Sequence, residues 1–216
     1  MIDPEQLYID GRLWGVKDHK FWCLLSSLLI NCKPKSILEL GSGRSTTFFA
    51  DYADSVAIEF TSIEESPHWY AEVHRDLRFM FLSGKYIKHV PLDHTTRWYD
   101  REMFENAVGF NRYDLVMIDG PSGVGMRSSS SNQNLNRVVQ DVRMAIIDDT
   151  QRADCRALSE NLAAKHGFTY SMDIRYRQRR RGPTTGSVRY DENTVTILTS
   201  EWSEIVSSQI SNIYGL

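Results

Sequence analysis

The chain has 216 residues, 41% of them hydrophobic and 25% charged, enough to bury one substantial core as a single domain. Its net charge of −3 argues against a general attraction to nucleic acid or an anionic membrane surface. Its three cysteines, Cys23, Cys32 and Cys155, lack metal-ligand spacing and exclude a disulfide framework or zinc site as the organising feature. The N-terminus, Met1-Ile-Asp-Pro-Glu, has no basic start and no apolar signal core. The longest apolar stretch, Phe21 to Ile30, is broken by Ser26-Ser27 and is too short to span a bilayer. The expectation is a reduced, cytoplasmic protein that does not engage membranes.

In chain order, residues 18–31 read as an amphipathic helix with an apolar face of Phe21, Trp22, Leu24, Leu25, Leu28 and Leu29. Strands are expected at 36–40, 56–63, 86–90, 113–118, 143–148, 167–173 and 193–199. Helices are expected near 45–52, 67–80, 100–109, 132–142 and 152–166. This alternation predicts a mostly parallel α/β sheet with helices on both faces. The last two strands have no helix pattern between them and are expected to pair as an antiparallel hairpin. Residues 1–35 read as an N-terminal helical cap segment and 36–216 as the main unit, together one globular domain. Ser128 to Ser131 read as a loop.

The most informative stretch is Ser36 to Thr47. An apolar run, Ile37-Leu38-Glu39-Leu40, stops at Gly41-Ser42-Gly43, and a helix starts at Ser45-Thr46-Thr47. A strand that turns into a helix through Gly-x-Gly lets backbone approach a ligand, because glycine has no Cβ in the way. About twenty residues on, the second strand ends in Glu64, the position at which a carboxylate accepts from a ribose in nucleotide-binding βαβ units. Together these features predict an adenosine-containing cofactor. A dinucleotide is disfavoured, because the third glycine of its fingerprint is here Thr46 and because Glu39 would repel a diphosphate. A carboxylate at that point suits a ligand with an ammonium group.

Three segments carry a resemblance. Leu38-Glu39-Leu40-Gly41-Ser42-Gly43 resembles motif I of the class I S-adenosylmethionine-dependent methyltransferases. Ser62 to Trp69 resembles their second motif and Tyr113 to Pro121 their fourth, in family order and spacing. The resemblance implies a Rossmann-like fold with a seven-stranded, mostly parallel sheet and a C-terminal antiparallel hairpin. It implies S-adenosylmethionine as cofactor, held by Glu39, Gly41, Ser42, Gly43, Ser45, Thr46, Glu64, Glu65, Asp119 and Gly120, with Leu92 and Asp93 near the adenine.

Ligands in open α/β sheets sit beyond the carboxyl ends of the strands. The fourth strand ends in Asp119 and the fifth in Asp148-Asp149. Three carboxylates from adjacent strand ends would suit a hard cation such as Mg²⁺ or Mn²⁺. The catechol-type O-methyltransferases resemble this chain in having acids at both places. The plainer reading is that these acids cap the helix near Gln151 or pair with Arg152 or Arg127. Asp119 is the first candidate for general base or metal ligand, with Asp148 and Asp149 next. No Asp/Asn-Pro-Pro-Tyr motif of base amino methylation occurs, which favours an oxygen acceptor. Within that superfamily, Tyr113 to Gly123 followed by Ile146 to Arg152 most resembles small bacterial O-methyltransferases and the glucuronoxylan O-methyltransferase group, which methylates a sugar hydroxyl of a uronic acid.

Arg175 to Arg181 holds five arginines in seven residues. Arginine forks take carboxylates and phosphates in bidentate fashion. Arg175, Arg177 and Arg179, at the expected hairpin tip, and Arg127 are therefore candidate contacts to an anionic acceptor, small or saccharide. A solvated turn is the plainer reading, and methylation of a nucleic acid is the runner-up, since basic residues interleaved with Tyr176 and Tyr190 suit single strands. A nicotinamide oxidoreductase and a non-catalytic module of the same fold are the rival classes. The sequence leaves the oligomeric state open.

Overall fold

The computed structural model describes residues 16–17, 19–109, 112–122, 133–181 and 188–215. Eight strands form one sheet: β1 (Val16–Lys17), β2 (Ser36–Leu40), β3 (Glu59–Glu64), β4 (Ile87–His89), β5 (Leu115–Ile118), β6 (Met144–Ile147), β7 (Tyr170–Arg181) and β8 (Val188–Thr199). The helices among the described residues are α1 (His19–Cys32), α2 (Arg44–Val56), α3 (Pro67–Phe79), α4 (Arg101–Val108), α5 (Gln133–Val139), α6 (Ala153–His166) and α7 (Ser203–Tyr214). The strand order is β1-β7-β8-β6-β5-β2-β3-β4. Strands β2 to β6 pair in parallel, whereas β8 runs antiparallel to both β6 and β7.

All seven expected strands form, and the antiparallel hairpin closes the chain's last sheet pairing. Among the described residues the sheet nevertheless has eight strands, because Val16 and Lys17 add to the outer edge of β7 opposite Arg179 and Gln178. Two residues are too few to carry an alternation that sequence could reveal.

Strands β2, β5 and β6 are buried along their whole length, as expected for parallel strands covered on both faces. Alternate residues feed two cores. Ile37, Leu115, Met117, Met144 and Ile146 pack with α1, α2, α3 and α7 on one face. Leu38, Leu40, Val116, Ile118 and Ile147 pack with α4, α5 and α6 on the other. The apolar stripe of α1 is thus part of the first core, as an ordinary sheet-covering helix.

Helix α7 was not expected from sequence. It buries Trp202 at its start and then Val206 and Ile210 beside α1, and Ser27 of α1 donates to Gln209. The apolar spacing Val206, Ile210, Ile213 is helical, but serines and β-branched residues around it weaken the propensity signal.

The hairpin also departs from expectation. Strand β7 runs to Arg181 and pairs residue for residue with β8, from Tyr170 opposite Thr199 to Arg181 opposite Val188. The arginine run therefore lies within a strand, at the end of β7 that leads into residues 182–187, and not in a turn. Burial of Ile174 and Tyr176 on alternate positions favours continued pairing over a turn. No helix among the described residues is long and apolar enough to cross a membrane.

Candidate cofactor site at the switch point

After β2 the chain moves to β3 and β4 on one side, and then returns to β5 and β6 on the other. The reversal falls between β2 and β5, where an open α/β sheet leaves a crevice beyond its strand ends. Backbone bonds continue the ladder past the strands: Gly41 N–H donates to Ile63 O at 2.9 Å, Asp119 N–H to Leu40 O at 2.8 Å and Asp148 N–H to Ile118 O at 2.9 Å. Gly41, Glu64, Asp119 and Asp148 consequently sit side by side along one edge of the sheet.

The two glycines of the turn answer different needs. Gly41 has φ +88°, and a Cβ there would lie 2.5 Å from Gly120 N and 2.7 Å from the Asp119 carbonyl carbon. Gly120 is equally tight, its Cβ position lying 2.6 Å from Gly41 Cα and 2.5 Å from Tyr99 Oη. The β2 and β5 exits thus touch backbone to backbone at the switch point. A Cβ on Gly43 would meet nothing within 4 Å, so the turn is open on that side.

Glu64 is 3% exposed. Its Oε2 accepts from Ser42 N–H at 2.9 Å and its Oε1 from Ser66 N–H at 2.8 Å. Burial pushes its carboxyl up to about 8, reinforced by the charge of Glu65 and more weakly of Glu39, while the two amides pull the other way. Glu65 reaches across the crevice and accepts from Ser122 N–H at 2.7 Å, linking the β3 and β5 exits.

Glu39 is fully buried, at 0% exposure. Its Oε2 accepts from Thr46 Oγ1 at 2.6 Å and from Ser62 Oγ at 2.7 Å. Thr46, likewise buried, accepts from Gly43 N–H at 2.8 Å. Ser62 opens the segment that resembles the second motif but has no role assigned from sequence; the parallel register, which sets it opposite Glu39, reveals its partner. Trp69 is a second such residue: its Nε1 donates to Ser42 O at 2.6 Å and ties α3 to the turn. Ser45 is buried at the start of α2.

The segment after β4 turns on itself. Asp93 Oδ1 accepts from Thr95 N–H at 2.7 Å and Thr96 N–H at 2.8 Å, and these amides hold its carboxyl below the usual range. Its side chain is thus engaged in its own turn. Leu92, bridged to Tyr99, is half-buried against the second core.

The three aspartates separate. Asp119 is half-buried at the β5 exit. Asp148 is 1% exposed and accepts from Tyr176 Oη at 2.6 Å, which joins the β6 exit to β7. Asp149, at φ +60°, pairs with Arg152 at 3.5 Å and accepts from Gln151 Nε2 at 3.3 Å. Among the described residues no three His, Cys, Asp or Glu side chains come together as a group that could hold a metal ion. Tyr176 and Arg152 instead engage Asp148 and Asp149.

Arg175 is exposed on β7. Arg177 and Arg179 are placed by register opposite Glu192 and Tyr190. Arg127 and the Ser128–Ser131 loop lie outside the described residues.

No family model matches the sequence, and no curated protein matches it. Solved structures do match. A precorrin-6y C5,15-methyltransferase from Geobacter metallireducens superposes with a TM-score of 0.53 at 9% identity, over 85% of this chain and 87% of its own. A candidate RNA methyltransferase from Pyrococcus horikoshii gives 0.53 at 14% identity, over 93% and 98%. A candidate caffeoyl-CoA O-methyltransferase from Staphylococcus aureus gives 0.52 at 15%, over 93% and 85%. The fold is that of the class I S-adenosylmethionine-dependent methyltransferases.

Proposed function

We propose that the chain is an S-adenosylmethionine-dependent methyltransferase acting on an oxygen of a small or saccharide acceptor, with an anionic acceptor favoured. The observation that carries the reading is the union of the glycine turn with Glu64 at the switch point, where Ser42 N–H and the Glu64 carboxylate meet at 2.9 Å. A ribose diol donates to such a carboxylate. The open side of Gly43 leaves room for the rest of the ligand, and Glu65 at the crevice, with Glu39 behind the turn, disfavours a diphosphate.

The cofactor supplies a methyl group on a sulfonium. The chain's own task is to align an acceptor hydroxyl and remove its proton. Asp119 is the residue assigned to that proton. It stands at the β5 exit beside the Gly41–Gly120 contact, and its backbone is pinned by Leu40 O. Asp148 and Asp149 hold the β6 exit against the hairpin and Arg152.

The exposed Arg175 and the arginines that follow it along β7 are the feature favouring an anionic acceptor. Nucleic acid is the weaker reading, because Tyr176, one of the two tyrosines that would stack on bases, is buried against Phe21 at 5.3 Å between ring centroids. Asp119→Asn is expected to bind S-adenosylhomocysteine as the parent does and to lose methyl transfer by about a hundredfold or more. Transfer of labelled methyl to acidic and neutral sugars measures this, and undiminished transfer would make Asp119 structural. Absence of any transfer by the parent, with binding intact, would favour the non-catalytic module.

A further inference from the structure

We infer that Thr46, Glu39 and Ser62 are positioning residues: they form a buried clasp that shapes the glycine turn for the cofactor without touching it. The inference rests on the cofactor reading above and assigns the roles of residues within it.

The clasp follows from hydroxyl counting. Ser62 has a single O–H proton and gives it to Glu39 Oε2 at 2.7 Å. The 2.7 Å bond between Ser42 Oγ and Ser62 Oγ must then be donated by Ser42. Thr46 likewise gives its one proton to Glu39 at 2.6 Å, so its remaining lone pairs are what receive Gly43 N–H at 2.8 Å. The Ser62 and Thr46 protons therefore both end on one carboxylate oxygen, Glu39 Oε2, and the Ser42 proton ends on Ser62 Oγ.

The consequence reaches the ligand side. Ser42 is held through its hydroxyl by Ser62, through its carbonyl by Trp69 and through its amide by Glu64. Gly43 is held by Thr46. With Glu39, Thr46 and Ser62 all at 0% exposure, none of them offers surface to a bound molecule, and the burial makes each hydrogen bond costly to lose. Thr46 stands where a dinucleotide fingerprint has its third glycine. Here the position needs a hydroxyl, because it must both receive an amide and satisfy a buried carboxylate.

A contact to the amino-acid end of the cofactor and a positioning role differ in what they do to two probes. S-adenosylhomocysteine carries that end; 5′-methylthioadenosine lacks it. Titrating both into the parent, Thr46→Val, Thr46→Ser and Ser62→Ala separates the cases. The inference predicts that Thr46→Val and Ser62→Ala each weaken both probes by the same factor, on the order of tenfold. Thr46→Ser, which restores the hydroxyl, should return both to within about threefold of the parent. Loss confined to S-adenosylhomocysteine would overturn it in favour of direct contact, and unchanged affinity for both would overturn it in favour of no role. Should Thr46→Val fail to fold, Ser62→Ala carries the same comparison. A parent that binds neither probe would instead refute the cofactor reading itself.

Discussion

Affinity for S-adenosylhomocysteine is expected to tighten with rising pH, by up to about tenfold per unit below pH 8, and to level off above it. The cause is Glu64, whose carboxyl is pushed up to about 8 by burial, by Glu65 and by Glu39. A ribose diol donates to the ionised carboxylate, so the ligand binds against a proton wherever the free protein still holds one. The proton is released on binding, and calorimetry in buffers of different ionisation enthalpy would count it. Glu64→Gln should abolish the pH dependence and weaken binding throughout; a parent whose affinity is flat from pH 6 to pH 9 would remove Glu64 from the ribose.

The same group acts in the opposite sense on the ligand-free fold. A carboxyl whose folded value lies above its unfolded one holds its proton more tightly when folded, so stability falls as pH rises from about 4.5 to about 8. Glu64→Gln is therefore expected to melt above the parent at pH 8, with the gap closing towards pH 5. A site residue that destabilises its own fold at neutral pH is a sign of function over packing.

The second large effect separates two glycines that look alike in sequence. Gly41→Ala forces a side chain onto φ +88° and sets its Cβ 2.5 Å from Gly120 N. Positive φ and backbone overlap together should cost about 3 kcal/mol, lowering the melting midpoint by about 10 °C. Gly43→Ala meets nothing within 4 Å and should leave the midpoint within about 2 °C of the parent. Its methyl group instead occupies the open side of the turn, so S-adenosylhomocysteine should bind about tenfold or more weakly. Equal melting loss in both variants, or undiminished binding by Gly43→Ala, would contradict the assignment of that space to the ligand.

What was legible in the sequence follows the strength of each periodic signal. Ser36–Leu40, an apolar run between Lys35 and Gly41, was read at its true limits, and the parallel strands after it were found because burial on both faces leaves little room for polar residues. The hairpin was found but cut short, because arginines read as loop whereas the strand alternation of Ile174 and Tyr176 carried on beneath them. Helix α7 was missed behind its serines. At the site, Gly41 and Glu64 announced themselves through type and spacing. Ser62 and Trp69 could not, since their partners lie 23 and 27 positions away in sequence. The aspartates were legible as acids at strand ends, but their separation depends on Tyr176 and Arg152, which only the folded neighbourhood brings to them.

The most direct test is a calorimetric titration of the purified chain with S-adenosylhomocysteine, and separately with NAD. The reading of the Gly41–Gly43 turn and Glu64 predicts binding of S-adenosylhomocysteine on the order of micromolar, with no measurable binding of NAD. Silence with S-adenosylhomocysteine, or binding of NAD as tight, would mean that the crevice between β2 and β5 holds some other ligand.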